Sequence, residues 1–343
     1  MTRVARLAAA VCVAALLAGC GADPEPAGPP VGQPTSTAAP PAPPPIFYVD
    51  PDGAAARQVD EWQRAGRAAD ADLLLRISTR PSATWLVGGP DPVTERVDGL
   101  LTRATVAGQI PVLVVHNLPG RDCGHRGSGG ARDAGEYQRW IRDVARGVEG
   151  RTVTVILEPG GVPDAVDRCV KDVSERLSLL EDAVTVLKST GRARVYLDAG
   201  HPRWIKDTAK LASTLRRAGV AEADGFALNV ADFIRTEDNV RYGHRLSDAL
   251  GGSTRFVVDT SRNGNGPVAG DSVNGAPSWC NPPGRALGAE PTEAPGPDRV
   301  DALLWVKYPG ESDGACRPGE PEHGVWWPEY ALDLARNADH KAA

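Results

Sequence analysis

TVTVILEPGGVPD, residues 152–164, runs six β-branched or aliphatic residues straight into Glu158-Pro159 and two consecutive glycines. Nothing in Thr152–Leu157 alternates between apolar and charged, which marks a strand covered on both faces rather than one half open to water. Six other runs have the same β-forming character: Ala83–Val87, Ile110–His116, Arg194–Leu197, Gly225–Asn229, Arg255–Val258 and Ala302–Lys307. Between them lie helical patterns, of which Tyr137–Val148 and Asp172–Lys188 repeat apolar residues at three- and four-residue spacing. Alternating β and α elements predict an α/β fold with a parallel sheet, closed or nearly closed into a barrel of about seven strands. No internal repeat is present.

The unusual chemistry follows the strands. The turns after six of the runs read HNLPGRDCG (116–124), EPGG (158–161), DAGHPRW (198–204), NVADF (229–233), DTSRNGNGP (259–267) and KYPGESDG (307–314). In a barrel the C-terminal strand ends share one face, where side chains from distant segments meet around a ligand. Any one of Asp122, Asp198, Asp259 and Asp313 could be a cap or turn residue, but all four together predict an active or binding face. Eight tryptophans against four phenylalanines point to the ligand. Trp85, Trp204, Trp279 and Trp305 fall in or beside these strand ends, and indole rings beside carboxylates suit a sugar. Trp140, Trp326 and Trp327 are expected in the core.

The rest of the chain sets the context. Arg3 and Arg6 precede a short apolar run, Leu7–Leu17, too short to span a membrane as a mature helix. It ends in Leu17-Ala18-Gly19-Cys20, similar to a bacterial lipobox. Residues 1–19 are therefore expected to be a signal peptide, with Cys20 lipidated and residues 20–45, rich in Pro and Ala, a tether too poor in large apolar residues to fold. This predicts an exported cell-surface lipoprotein that touches the membrane through its lipid; the alternative is a secreted protein. The folded domain is expected over 46–343, as a monomer. Cys123, Cys169, Cys280 and Cys316 remain, and of three connectivities the sequential one, 123–169 and 280–316, is simplest. A net charge of −6 without a Lys/Arg run predicts no nucleic-acid partner. Six scattered histidines without ligand spacing predict no metal site, and no cofactor is implied.

Taken together the turns resemble glycoside hydrolase family 6, the inverting cellulases that cut β-1,4-glucan. The matching pieces run from Phe47-Tyr48-Val49-Asp50-Pro51 to the region near Ala338. They include His116-Asn-Leu-Pro-Gly-Arg-Asp122-Cys123, Tyr196-Leu-Asp198-Ala-Gly-His201, Gly225-Phe-Ala-Leu-Asn229, Asp259–Pro267, Trp279-Cys280 and Trp305–Gly314. The resemblance implies a distorted, incomplete β/α barrel with a sugar cleft at its strand ends, binding β-1,4-glucan or cello-oligosaccharide. It implies that Asp313 is the base acting on the attacking water, that Asp122 tunes the acid, and that Ser128 helps hold the water. Trp85, Trp204, Trp279, Lys307 and Glu311 are implied at sugar subsites. Asp198, His201 and Asn229, in matching turns, are implied to contact sugar or structure the cleft.

Two positions depart from the family. Its general acid is the Asp of a Glu-Pro-Asp turn, where this chain has Glu158-Pro159-Gly160, and its tyrosine beneath the cleaved sugar is here His116. Three readings follow: a relocated acid, with Asp164 or His116 as the candidates; an enzyme slowed by the missing acid; or a glucan-binding protein without turnover. Asp164 also has a simpler reading, as the cap of the following helix.

Overall fold

The structure, a computed structural model, describes residues 46–124, 129–167 and 169–338. The expected signal peptide, Cys20, the tether and Ser128 lie outside the described residues.

The described residues form ten strands: β1 (Thr84–Leu86), β2 (Val112–Val115), β3 (Val153–Leu157), β4 (Ala193–Asp198), β5 (Gly225–Leu228), β6 (Arg255–Asp259), β7 (Ser272–Val273), β8 (Ala276–Pro277), β9 (Thr292–Glu293) and β10 (Val300–Leu304). Eight form one sheet in the order β1-β2-β3-β4-β5-β6-β10-β9, and β7 and β8 form a small separate ribbon. Every neighbouring pair from β1 to β10 is parallel; β9 alone runs antiparallel, against Ala302 and Leu303. All seven expected strands are therefore found, and the sheet gains an eighth, two-residue strand that no sequence pattern announced.

The apolar runs are continuous because the sheet has two covered faces. Val114, Ile156, Tyr196, Ala227, Val257, Ala302 and Leu304 point to one side and pack on each other with Phe47 and Val306 inside the barrel. Their neighbours Leu113, Val115, Val155, Leu157, Val195, Leu197, Phe226, Leu228 and Val258 point outward into a second core, beneath the helices. Alternate residues of a strand face opposite ways, so burying both faces requires an apolar residue at nearly every position. The sheet curls until its ends approach: the Ala83 amide donates to the Trp305 carbonyl at 2.9 Å and the Trp85 indole to the Val306 carbonyl at 2.8 Å. The result is an incomplete barrel.

The helices are α1 (Ala54–Arg64), α2 (Ala68–Ser78), α3 (Val93–Val106), α4 (Ala134–Val148), α5 (Gly161–Asp167), α6 (Val173–Lys188), α7 (Thr208–Arg217), α8 (Thr236–Leu250) and α9 (Pro328–Asn337). Asp133, Asp172 and Asp207 begin α4, α6 and α7, each accepting the amide of the third residue on, which satisfies a donor that the first helical turn leaves free. Helices α1, α2 and α9 enclose a separate core around Trp62, Leu74 and Leu334. Trp305 belongs there, buried, with its indole donating to the Ala289 carbonyl; it is a packing residue, not part of the ligand face as its position after a strand suggested. Trp140, Trp326 and Trp327 are also packed against the cores.

Two disulfides, Cys123–Cys169 and Cys280–Cys316, follow the sequential pairing. Strand β5 opens at Gly225, where φ is 155° and a Cβ would stand 1.9 Å from the Arg255 carbonyl oxygen of β6. Gly225→Ala should therefore force the two strands apart and cost about 3 kcal/mol, read as a lower urea midpoint; an unchanged midpoint would contradict this packing.

Candidate active site

A cleft of about 820 Å³ opens at the C-terminal strand ends. It is lined by Trp85, His116, Asp122, Gly160, Asp164, Asp198, His201, Trp204, Trp279, Lys307, Glu311 and Asp313 among others, so nearly every residue singled out from the sequence reaches one space. Asn229 and Asp259 do not reach it. Asn229 is fully buried, donating to the Asp259 carbonyl and accepting the Ile234 amide. The Asp259 carboxylate accepts the amides of Ala231, Ser261, Val306 and Lys307, which ties together the ends of β5, β6 and β10. Both side chains turn inward to satisfy turn backbone, so they shape the cleft floor and do not face a ligand.

One wall is built around Asp313. Its Oδ2 accepts the guanidinium of Arg262 at 2.8 Å and the Asn281 amide at 3.0 Å. Its Oδ1 lies 3.8 Å from the Lys307 ammonium, and its own amide donates to Asn281 Oδ1 at 2.7 Å. Arg262 is fully buried and lies over the Phe233 ring, so its charge needs this carboxylate. The Cys280–Cys316 bridge closes the same unit, with Cys280 beside Asn281 and Cys316 three residues past Asp313. Burial raises the Glu311 carboxyl above its ordinary value, partly offset by Lys307.

The opposite wall comes from the ends of β2, β3 and β4. Glu158 is buried at the end of β3 with φ 49°, a conformation a side chain adopts only at a cost. Its carboxylate accepts the amides of Asn117 and Leu118 at 2.9–3.1 Å, and so fixes the start of the loop that carries Asp122. Asp122 itself has φ 54°. His116 sits between these carboxylates, Nε2 3.4 Å from Asp122 and Nδ1 3.6 Å from Glu158. Burial disfavours its charge, but the two acids prevail and raise its pKa. Asp198 accepts the amides of Gly160 (2.8 Å) and Gly200 (3.2 Å), while burial pushes its pKa up to about 6.

Asp164 is not a cap. It lies inside α5, its amide donating to the Gly160 carbonyl, and its side chain returns to the cleft. Only 7% of the residue is exposed, and Oδ2 is buried with no hydrogen-bond partner. Arg176 is 4.0 Å away, beyond hydrogen-bond reach. Burial raises the pKa of Asp164 to about 6; Arg176 works against this, and the charges of Asp122, Asp198 and Asp167 add to it.

Trp204 and Trp279 line the cleft with 37% and 41% of their surface open to water, as platforms for a flat apolar ligand face would be. His201 pairs with Asp232 at 3.0 Å. The supports Glu158, Arg262, Asn281, Asp232 and Arg176 escaped sequence reading. The first four stand in or beside the polar turns that could have flagged them; Arg176 sits within an ordinary helical pattern and gave no signal.

The model of "Glycosyl hydrolases family 6" matches residues 45–338. Endoglucanase A of Cellulomonas fimi is 43% identical over 294 residues, covering 85% of this chain and 61% of that protein. Endoglucanase A of Thermobispora bispora is 38% identical over 301 residues, covering 85% and 62%. The chain thus spans about three fifths of the length of these two relatives. Among solved structures, the endoglucanase Cel6 of Mycobacterium tuberculosis, in complex with methyl-cellobiosyl-4-deoxy-4-thio-β-D-cellobioside, is similar with a TM-score of 0.79 at 40% identity. That match covers 87% of this chain and 98% of the other.

The raised carboxyls make a stability prediction. A folded-state pKa near 6 against an ordinary 3.8 means that the folded state holds the proton more tightly than the unfolded one. Their contribution is full below about pH 4 and is lost as pH rises through about 6. Asp164→Asn needs no proton, so it should flatten part of this decline and be more stable than the parent above pH 6, by on the order of 1–3 kcal/mol. Parallel stability–pH curves from urea titrations would contradict the assignment.

Proposed function

Because the chain belongs to glycosyl hydrolase family 6, we propose that it is an inverting endo-β-1,4-glucanase, cutting soluble or envelope glucan within the cleft at the strand ends. What carries this reading is the meeting, in one cleft, of a cation-braced carboxylate, Asp313, with a wall of acids, the buried Asp164 and Asp198 and the partly exposed Asp122. Inverting hydrolysis needs an acid to protonate the leaving oxygen and a carboxylate across the sugar to activate water, roughly 6.5–9.5 Å apart. Asp313 acts as the base, directly or through a second water, and Asp122 adds charge beside the acid and helps to orient the nucleophilic water. Trp204 and Trp279 stack on glucose units, and Lys307 and Glu311 bond to hydroxyls. The partly exposed tryptophan platforms support an open, endo-acting cleft, as do the names of the similar endoglucanases. The lipobox-like Leu17–Cys20 and the Pro-rich stretch to residue 45 support a lipid-anchored enzyme at the cell surface.

A second reading is a glucan-binding protein without turnover, and the side-chain-free position 160 favours it. Reducing-sugar release from soluble β-1,4-glucan separates the two. Asp313→Asn is the control of choice, because its amide oxygen can still accept from the buried Arg262 guanidinium, a donor that an alanine would leave unbonded. The parent should release sugar at least about a hundredfold faster than Asp313→Asn. Equal release, with cello-oligosaccharide binding intact by calorimetry, would transfer the assignment to the binder.

A further inference from the structure

The structure provides a place for the proton donor that position 160 lacks. Gly160 has φ 76°, and a Cβ built on it would lie 3.4 Å from Asp164 Oδ2 and 3.7 Å from its carboxyl carbon. A side chain at 160 and the Asp164 carboxyl would therefore fill neighbouring parts of one space. Removing the first leaves that space to the second. We propose that Asp164, carried back into the cleft by the first turn of α5, is the general acid of this chain, an inference that rests on the glucanase reading above.

The other candidates are already engaged. Both Asp198 oxygens accept backbone amides and clamp the Gly160 turn. Glu158 is wholly buried and holds two amides of the neighbouring loop. His116 has Nε2 3.4 Å from Asp122 and Nδ1, buried without a hydrogen-bond partner, 3.6 Å from Glu158, so two carboxylates compete with a substrate for its proton. Glu311 stands on the opposite wall, against Lys307. Among the described acids that line the cleft, Asp164 alone has a buried oxygen without a hydrogen-bond partner. A buried, unsatisfied carboxyl oxygen costs free energy, and a turn of the side chain that brings it to a glycosidic oxygen would remove this cost.

The surroundings suit an acid that must keep its proton in mildly acidic to neutral solution. Facing Asp164 are Asp122 from the loop after β2, Asp198 from the end of β4, Asp167 from its own helix and Arg176 from α6. From α7, Lys210 donates to the Val166 carbonyl near the far end of α5. Three acids against one cation at 4.0 Å, together with burial, favour the neutral carboxyl, whose pKa is about 6. The Cys123–Cys169 bridge, whose Cys169 sulfur lies 3.6 Å from the Asp164 carbonyl, fastens α5 to the loop bearing Asp122. In the reaction the Asp164 proton passes to the glycosidic oxygen as its bond to the anomeric carbon breaks. Water adds to that carbon from the other face and gives its proton to Asp313. Solvent then returns a proton to Asp164 and removes one from Asp313, so the balance is plain hydrolysis.

The test compares the full chain with Asp164→Asn on two substrates, soluble β-1,4-glucan and a dinitrophenyl β-cellobioside whose leaving group needs no proton. Asp164→Asn should lose about 10²–10⁴-fold on glucan and less than about tenfold on the aryl glycoside. With the parent, kcat/KM on glucan should fall as pH rises through about 6, and this limb should be missing on the aryl substrate. The parent profile reads the donor even if the variant folds poorly. Equal losses on both substrates, unchanged glucan activity, or the same alkaline limb on both substrates would each overturn the role of Asp164 while leaving a glucanase. No glucan cleavage by the parent would overturn the glucanase reading and this inference with it. Restoring the missing side chain is a separate check: Gly160→Asp should fail to raise glucan activity, because it strains a left-handed backbone and sets a second carboxyl beside that of Asp164. A rise of tenfold or more would mean that Asp164 does not fill the role.

Discussion

The corner from Glu158 to Gly161 is the constraint on which the site depends. A carboxylate is buried there at the end of a strand, and such a burial is tolerable only when its charge is bonded. Glu158 meets that condition by accepting the amides of Asn117 and Leu118. To reach them its backbone is held left-handed, and Gly160 is left-handed two residues later. The chain thereby leaves β3 and enters α5 within four residues, and α5 brings Asp164 back beside the corner. Asp198 closes the arrangement from β4 by accepting the Gly160 amide. The loop with Asp122, the direction of α5 and the empty place at 160 all follow from one buried acid and its partners.

The cleft has two electrostatically different walls. Cations concentrate around Asp313, where Arg262 and Lys307 meet it with the Asn281 amide. Acids concentrate around Asp164 and Asp198, where burial keeps protons bound to higher pH and, at Asp164, the neighbouring acids add to it. The wall that holds protons suits a donor, and the cation-braced carboxylate across the cleft suits a base. Each wall is fastened by its own disulfide, Cys123–Cys169 on the acid side and Cys280–Cys316 on the base side. Covalent closure suits walls made of turns, because turns have few regular backbone bonds to hold them in place.

The fold was legible because its chemistry is local and periodic. Doubly covered strands force unbroken apolar runs, so all seven parallel strands could be read directly, and the runs at Tyr137–Val148 and Asp172–Lys188 are helices within a few residues. Strand β9 was not legible, because two residues carry no period and its pairing is set by the edge of β10. The site was legible as a list of turns but not in the direction of their side chains. Asp259, Asn229 and Asp198 share a sequence context and all three bond turn backbone, yet Asp198 alone of them lines the cleft. Asp164 has the composition of a helix cap and the position of a cleft residue. What decides between them is the left-handed Gly160, whose conformation no sequence rule specifies. Arg262 and Arg176 went unremarked because their importance lies in burial, and an arginine in a polar turn or on a helix shows no sign of it.

The central claim is that a carboxyl outside the Glu-Pro-Gly turn supplies the proton. The most direct measurement is a crystal structure of the Asp313→Asn variant with a thio-linked cello-oligosaccharide across the cleft. The account predicts an Asp164 carboxyl oxygen within hydrogen-bond distance of the bridging sulfur, with a water on the opposite face of the sugar beside residue 313. Asp164 turned away from the bridging atom, with His116 or another group in its place, would contradict it.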